Sequence, residues 1–244
     1  MRSRFWGPIA VLLGWFVVAY SGLVSRLLLP SPVETAAALS SGYRVLWWDL
    51  AATLGRLCVA FAIGSSLGVV TGTCLGMSRK LYGFFELVID FFRSLPVITL
   101  FPLAMIMFGL GNLSKVALTA WTVFLLTVVN TIYGVRQVPR TRVLAARTLG
   151  ARKLSLVFKV LVPSAIPTII GGLRLAVSLG LVVVIVTEMF TGTASGLGKR
   201  IYDAGLIYEI PTMYAAIIIA GFTGFALNKI ITLAEGRVAH WSGK

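Results

Sequence analysis

The chain has 244 residues, of which 58% are hydrophobic and only 12% are charged, and its formal net charge is +14. Soluble domains are typically about 45–50% apolar and about 25% charged, so this composition excludes an ordinary soluble domain and indicates a membrane protein. The basic residues separate apolar runs instead of forming one stripe, which argues against a nucleic-acid partner.

Six apolar runs follow one another along the chain. They cover residues 5–25, 57–78, 94–114, 116–135, 163–187 and 211–227. A helix needs roughly 20 residues to cross a hydrocarbon core of about 30 Å, and the sixth run reaches that length only if it continues past Lys229. The first run is too long for a signal peptide and has no small-x-small cleavage site, so residues 1–29 are expected to form a retained anchor helix. The sequence therefore predicts an all-α membrane protein of six transmembrane helices, a single domain over residues 1–244 with core helices within 50–235.

The second run contains four glycines at intervals of four residues, Gly64, Gly68, Gly72 and Gly76. Small residues on one face of a membrane helix allow the backbone of another helix to come close. The spacing predicts a tight helix–helix contact along this face.

The distribution of Lys and Arg predicts the orientation. Of the 22 Lys and Arg residues, fifteen fall on the side that carries the N-terminus, six fall on the opposite side, and Arg174 lies within a span. Because cytoplasmic loops are enriched in these residues, both termini are expected in the cytoplasm. The cytoplasmic group includes Arg2, Arg4 and Lys244 at the ends of the chain.

The longest charged segment is a basic loop over residues 136–159, with seven Lys or Arg residues and no acid. Pro139 is acceptable at the start of a short helix and Gly150 is a natural end for it, and a second helix is expected from about Arg152. Ala145 and Ala146 would give the first helix a patch with little bulk, suited to close approach by another protein. The alternative is a loop that only obeys the positive-inside rule and lies on anionic lipid.

The segment Ala145-Ala146-x3-Gly150-x9-Val160-x-Val162-Pro163 resembles the EAA loop of bacterial ABC importer permeases, with Leu144 at the position of the motif's glutamate. Further segments are similar to the nitrate/sulfonate/taurine-type branch of that family. They are Leu29-Pro30-Ser31-Pro32-x-Glu34, Arg93-Ser-Leu-Pro96-x5-Pro102, Phe108-Gly109-x-Gly111, Gly172-Leu-Arg174-Leu-Ala176, Glu188-Met189 and Gly196-Leu-Gly198.

This resemblance implies a type I ABC importer (MetI-like) permease fold in a bacterial plasma (inner) membrane. Two permease copies would form the pore as a homodimer, two cytoplasmic ATPase subunits would bind ATP and Mg, and an extracytoplasmic binding protein would deliver the solute. The branch implies a small polar solute, an anion such as a sulfonate, nitrate or small carboxylate, although relatives also carry uncharged ring compounds. The coupling loop would span residues 137–163. Its ATPase-coupling residues would be Leu144, Ala145, Ala146, Thr148, Leu149, Gly150 and Ala151.

The chain itself shows no sequence signal for an enzyme. It has no G-x-x-x-x-G-K-[ST] phosphate loop and no His/Cys/carboxylate cluster for a metal, and His240 is its only histidine. We therefore expect no cofactor in this chain. A self-sufficient secondary transporter or channel remains an alternative, as does a membrane scaffold, but neither an internal duplication nor a coupling acid in mid-membrane supports the transporter.

Four polar residues within the spans are candidates for the translocation path. An Arg at the centre of a span costs about 2.5–3.5 kcal/mol, so Arg174 is expected to face the bundle interior or a cavity, unless it snorkels or bonds to a neighbouring helix. Ser178 lies four residues further along the same face. Asn130 and Glu188 are further candidates, with helix packing and an interfacial cap as their respective alternatives.

Overall fold

The computed structural model of this chain describes residues 6–190 and 193–238. Over these residues the chain is helical and contains no strand, which confirms the all-α prediction. The helices are α1 (Trp6–Tyr20), α2 (Pro32–Ser41), α3 (Tyr43–Met77), α4 (Arg79–Ser94), α5 (Phe101–Phe108), α6 (Asn112–Arg136), α7 (Arg140–Thr148), α8 (Lys153–Leu156), α9 (Val162–Phe190), α10 (Leu197–Leu206) and α11 (Ile210–Val238). Arg2, Arg4, His240 and Lys244 lie outside the described residues.

Four helical segments are long and apolar enough to cross a membrane. They are Tyr43–Met77, Asn112–Arg136, Lys153–Phe190 and Ile210–Arg237. A fifth candidate is a broken one, in which Arg79–Ser94 and Val97–Phe108 are bent by 91°. α1 has 15 residues as described, or about 22 Å of helix. The described chain thus provides four or five candidate spans, and the number six stays a prediction.

The third apolar run is irregular, as its two prolines, Pro96 and Pro102, predict. Instead of one helix over residues 94–114, the chain leaves α4 at Ser94, makes a 3₁₀ turn over Val97–Leu100 and continues as the eight-residue α5. Pro96 and Pro102 lie at the starts of these two pieces, where a missing N–H costs no internal hydrogen bond. A proline also disfavours helical geometry in the residue before it, so the sequence does not sustain one straight span here.

The residues form two compact units. The first combines the chain up to Leu54 with Glu188–Thr223, and its core contains Leu46, Ala215 and Ala216. α2 in this unit begins with a capping box: the Ser31 N–H donates to Glu34 Oε2 (2.8 Å) and the Glu34 N–H donates to Ser31 Oγ (3.1 Å). The hydrogen bond from the Ser31 backbone is the main reason why the pKa of Glu34 lies below its ordinary value of 4.5, with Arg26 adding to the effect.

The second unit combines Gly55–Thr187 with the chain from Gly224 onward. Its central contact joins α3 and α6 along the four glycines. A Cβ placed on Gly64 would lie 2.4 Å from the Ala120 carbonyl oxygen, and one on Gly72 would lie 2.6 Å from Thr131 Cβ. Because real Cβ atoms essentially never come within 3.0 Å of a neighbour, only glycine fits. The predicted close helix contact is confirmed.

Candidate functional site

The helix within the basic loop ends where the sequence predicts. Gly150 has a φ of +82°, the left-handed region that glycine adopts without steric cost. The Ala151 N–H donates to the Ala146 carbonyl (3.0 Å) and the Gly150 N–H donates to the Arg147 carbonyl (2.9 Å). This pair of bonds is a Schellman motif, which closes α7 and turns the chain towards α8.

The second predicted helix of the loop is present but is not a separate element. α8 begins at Lys153, close to the predicted start at Arg152, and leads into a π-helical turn over Val157–Leu161 and then into α9. Lys153–Phe190 is therefore one continuous helical segment of 38 residues. Its π-helical turn lies at the end of the basic loop, just before the apolar part of the segment.

α7 packs on this segment through one face only. Val143 and Ala146, three residues apart, contact a buried cluster formed by Val138, Leu156 and Leu161. Ala146 is thus half-buried and belongs to the inner face of α7, and Ala151 is also half-buried. On the adjoining side, the Arg142 guanidinium donates to Ser164 Oγ (2.9 Å).

The opposite face, which we call the α7 surface, consists of Leu144, Ala145, Thr148, Leu149 and Gly150. All five residues are exposed, and the two leucines are 58% and 88% exposed, respectively. The Thr148 hydroxyl donates to the Ala145 carbonyl (2.8 Å), so its hydrogen is used within the helix. The α7 surface therefore presents two large apolar side chains beside small ones, on a loop otherwise rich in arginine.

A second candidate site is a polar stripe between α9 and α11, formed by Arg174, Ser178, Asn228, Thr232 and Glu235. The Asn228 amide donates to Ser178 Oγ (2.7 Å), and the Ser178 hydroxyl donates to the Arg174 carbonyl (3.0 Å). The residues are spaced by three or four positions on each helix, so they lie on facing sides. The stripe brings two of the predicted path residues, Arg174 and Ser178, into one network.

The Arg174 guanidinium is held loosely within the stripe. Its Nη1 lies 3.5 Å from Thr232 Oγ1 and 3.9 Å from Glu235 Oε2, whereas a strong guanidinium–carboxylate contact is about 2.7–2.9 Å. The Arg174 side chain is 45% exposed and that of Glu235 is 25% exposed. Arg174 thus keeps donors available for another acceptor.

Asn130 is in a different environment. A Cβ on Gly172 would lie 2.4 Å from Asn130 Cβ, so α6 and α9 are in direct contact at this point. The Asn130 amide donates to the Leu126 carbonyl one turn earlier in α6 (2.8 Å). These contacts favour the packing alternative that the sequence left open.

Glu188 is almost completely buried, with 1% exposure. Its Oε2 accepts the Thr53 hydroxyl (2.9 Å) and the Gly198 N–H (3.0 Å). Thr53 Oγ1 also accepts the Leu197 N–H (2.9 Å), so the carboxylate and the hydroxyl together bind the first turn of α10. This environment favours the structural alternative for Glu188 over a position on a path.

Asp49 and Arg200 extend the hydrogen-bonded cluster that Glu188 and Thr53 form at the start of α10. Asp49 Oδ1 accepts the Gly196 N–H (2.9 Å), while its Oδ2 accepts Arg200 Nε (2.8 Å). No signal in the sequence connects Asp49 with α10, because 147 residues separate it from Gly196. Asn228, Thr232 and Glu235 were likewise not predicted, although their spacing of four and three along the chain was a readable signal.

Residues 64–240 match the family model described as a binding-protein-dependent transport system inner membrane component. The chain belongs to this family. It is accordingly a multi-pass inner-membrane protein and a permease subunit of an ABC importer, in which ATP hydrolysis is carried out by a partner ATPase. The predicted membership of the nitrate/sulfonate/taurine-type branch is confirmed by the relatives.

The chain is 31% identical to a probable ABC transporter permease protein of Brucella melitensis, over 93% of this chain and 92% of that one. It is 30% identical to the taurine transport system permease protein of Escherichia coli, over 98% and 89%. It is 28% identical to a putative aliphatic sulfonates transport permease protein of Bacillus subtilis, over 96% and 85%.

Among solved structures, the chain is similar to one from the MetNI methionine ABC transporter in inward-facing conformations. The TM-score is 0.68 at 22% identity, and the match covers 83% of this chain and 96% of the other. This similarity confirms the predicted MetI-like permease fold.

Proposed function

We propose that this permease carries a small organic or inorganic anion into the cytoplasm. The taurine, sulfonate and bicarbonate specificities of related permeases support an anionic substrate. The observation that carries the proposal is the loosely held guanidinium of Arg174 in the polar stripe between α9 and α11. A guanidinium with available donors attracts sulfonates and carboxylates, which accept paired hydrogen bonds.

In this proposal the functional unit is a homodimer of the permease with two cytoplasmic ATPase subunits and an extracytoplasmic binding protein. ATP and Mg are bound by the ATPases, and this chain binds no cofactor. Both termini and the loop over residues 137–163 are cytoplasmic, as the excess of Lys and Arg indicates.

The α7 surface is the proposed contact with the ATPase. Leu144, Ala145, Thr148, Leu149 and Gly150 are exposed on it, while Ala146 and Ala151 support it from the inner side. Because Leu144 replaces the glutamate of the family motif, we propose an apolar contact at this point in place of an ion pair. Rigid attachment of α7 to Lys153–Phe190 would pass movement of the ATPase to the membrane segment.

The coupling proposal is tested in proteoliposomes that contain the permease, its ATPase and the loaded binding protein. Leu149→Asp places a charge on the α7 surface, and Gly150→Pro removes the N–H that closes α7, so both should abolish the stimulation of ATP hydrolysis by the binding protein. Leu154→Asp is the matched control, because Leu154 is 72% exposed and lies in the same loop but outside the α7 surface. Normal coupling in Leu149→Asp and Gly150→Pro would show that α7 is not the ATPase contact.

The path proposal is tested by uptake in the same system. Arg174→Gln should lower uptake about tenfold or more while ATP hydrolysis still responds to the binding protein, since about 1.4 kcal/mol of lost anion binding corresponds to a factor of ten. Asn130→Ser, at the α6–α9 contact, is the control for general disturbance of packing. Unchanged uptake in Arg174→Gln would remove Arg174 from the path and leave the ATPase contact unaffected.

A further inference from the structure

An arginine-lined cavity lies in the second unit, at the end of the α3–α6 pair. Its volume is about 350 Å³, and its walls come from the ends of α3 and α6, the start of α4, α7 and the segment Leu156–Leu161. Four arginines line it: Arg79, Arg136, Arg140 and Arg147. The remaining walls are mostly apolar and include Val135, Val138, Val143, Leu156 and Leu161.

The positive charge of the cavity is not balanced from within. Within the described part of the chain, no carboxylate lines the cavity, and none of the four arginines takes part in an ion pair. The Arg136 guanidinium lies 3.8 Å from the centre of the Tyr82 ring, a cation–π contact that orients the group without neutralising it. Four like charges around one cavity repel each other, so a bound anion would be stabilising.

The surroundings indicate which kind of anion fits. α4, which begins at the cavity with Arg79, exposes Phe84, Leu87 and Phe91, whose side chains are 78%, 83% and 60% exposed. A helix with such a face lies against lipid, so the cavity is at the boundary between the hydrocarbon and the aqueous phase. Its combination of arginines with apolar walls suits an amphiphile better than a hydrated ion.

We propose that this cavity binds the phosphate-bearing headgroup of an anionic phospholipid from the cytoplasmic leaflet. Arg pairs with phosphate through two parallel hydrogen bonds, and basic pockets at the cytoplasmic ends of membrane helices are suited to anionic headgroups. The choice of leaflet rests on the orientation given in the proposed function.

The site has a mechanical consequence for α7. Arg140 is the first residue of α7 and Arg147 lies in its last turn, while Arg136 ends α6 and Arg79 begins α4. A single headgroup in contact with these arginines links both ends of α7 to the membrane helices. The lipid would therefore steady the α7 surface from its inner side.

The test measures retention of phosphatidylglycerol by the purified full-length permease, using native mass spectrometry after exchange into detergent with equal phosphatidylglycerol and phosphatidylcholine. The double variant Arg140→Gln/Arg147→Gln should weaken phosphatidylglycerol binding about 30-fold, given about one factor of five per arginine near a lipid surface. Arg142→Gln/Arg152→Gln is the matched control, since it removes the same charge from the same loop without touching the cavity, and it should change binding less than twofold. Arg79→Gln provides an independent variant on another helix, and circular dichroism checks the fold of each.

Equal losses in the two double variants would overturn the site, because they would indicate unspecific attraction to a basic loop. Binding of inorganic phosphate at millimolar concentration that displaces the lipid would identify a free-anion site instead, and displacement of the lipid by the ATPase would assign the cavity to the protein interface. Failure of ATPase coupling with phosphatidylglycerol binding intact would count against the proposed function alone.

Discussion

At the scale of single residues, the role of a polar side chain in this membrane domain depends on the hydrogen-bond partners around it. Glu188 and Arg174 both lie on α9, but Glu188 is buried among donors, whereas Arg174 is partly exposed and loosely paired. A buried carboxylate is tolerated only when it is hydrogen-bonded. Glu188 is consequently suited to fastening α10, and Arg174 to binding a mobile anion.

Removal of the Glu188 carboxylate should destabilise the protein. Glu188→Ala leaves the buried Gly198 N–H without its acceptor, at a cost of about 1–3 kcal/mol, whereas the Thr53 hydroxyl keeps the Asp49 carbonyl (3.1 Å) as an acceptor. We expect a clear fall in the midpoint of thermal unfolding, followed by tryptophan fluorescence in detergent. Glu209→Ala, at an exposed position between α10 and α11, should leave the midpoint nearly unchanged. Equal midpoints for both variants would mean that the Glu188 cluster does not hold α10.

At the scale of helices, the α3–α6 contact depends on the absence of side chains. Along α3 the four glycines meet α6 at distances that exclude a Cβ, and the partners include backbone carbonyls that have no flexible end. The gain is van der Waals contact between closely spaced backbones, which drives helix association where lipid is as apolar as the side chains.

Gly72→Ala should weaken this contact by about 1–3 kcal/mol, the usual cost of overpacking, because its Cβ would lie 2.6 Å from Thr131 Cβ and 2.7 Å from the Val128 carbonyl oxygen. Gly55→Ala is the control on the same helix, with no atom within 4 Å of its new Cβ. Since alanine is the better helix former, that variant should be neutral or stabilised by up to about 1 kcal/mol. Chemical unfolding in mixed micelles measures both, and a Gly72→Ala protein as stable as Gly55→Ala would contradict the close contact.

For the whole molecule, the number of spans depends on whether α1 crosses the membrane. Its 15 described residues cover about 22 Å, less than the roughly 30 Å of a bilayer core, whereas the apolar run in the sequence extends over residues 5–25. If α1 crosses the membrane, the two ends of that run lie on opposite sides. Together with the four long candidate spans and the bent pair Arg79–Ser94 and Val97–Phe108 as one span, α1 would then make up the six predicted spans.

Labelling with a membrane-impermeant thiol reagent tests this topology. In a background in which Cys58 and Cys74 are replaced by serine, Leu23→Cys and Tyr208→Cys should be labelled in spheroplasts, and Thr148→Cys only after lysis. An N-terminal epitope tag should be protected from added protease. A tag that is digested while Leu23→Cys is labelled would show that α1 does not span.

The family and the fold of the whole molecule are also properties that the sequence predicts. The family and its MetI-like fold were predicted from short motifs scattered over the chain, because each motif carries a local constraint. Gly150, for example, is required by a left-handed backbone at the end of α7. The number of spans does not follow from hydropathy alone. The run at 94–114 is apolar enough for a span but is broken by Pro96 and Pro102.

The sequence by itself determined the helical membrane class, the glycine face of α3 and the helix–glycine–helix plan of the basic loop, because hydropathy, residue size and backbone conformation are local properties. Only the tertiary structure decided which polar groups meet. Asp49 and Thr53 reach the start of α10 across more than 140 residues, and Arg174 meets Glu235 on another helix. It also brought four arginines of α4, α6 and α7 together around one cavity, while two leucines of α7 remained exposed. These outcomes depend on how helices are placed against each other, which the spacing of residues along one helix does not specify.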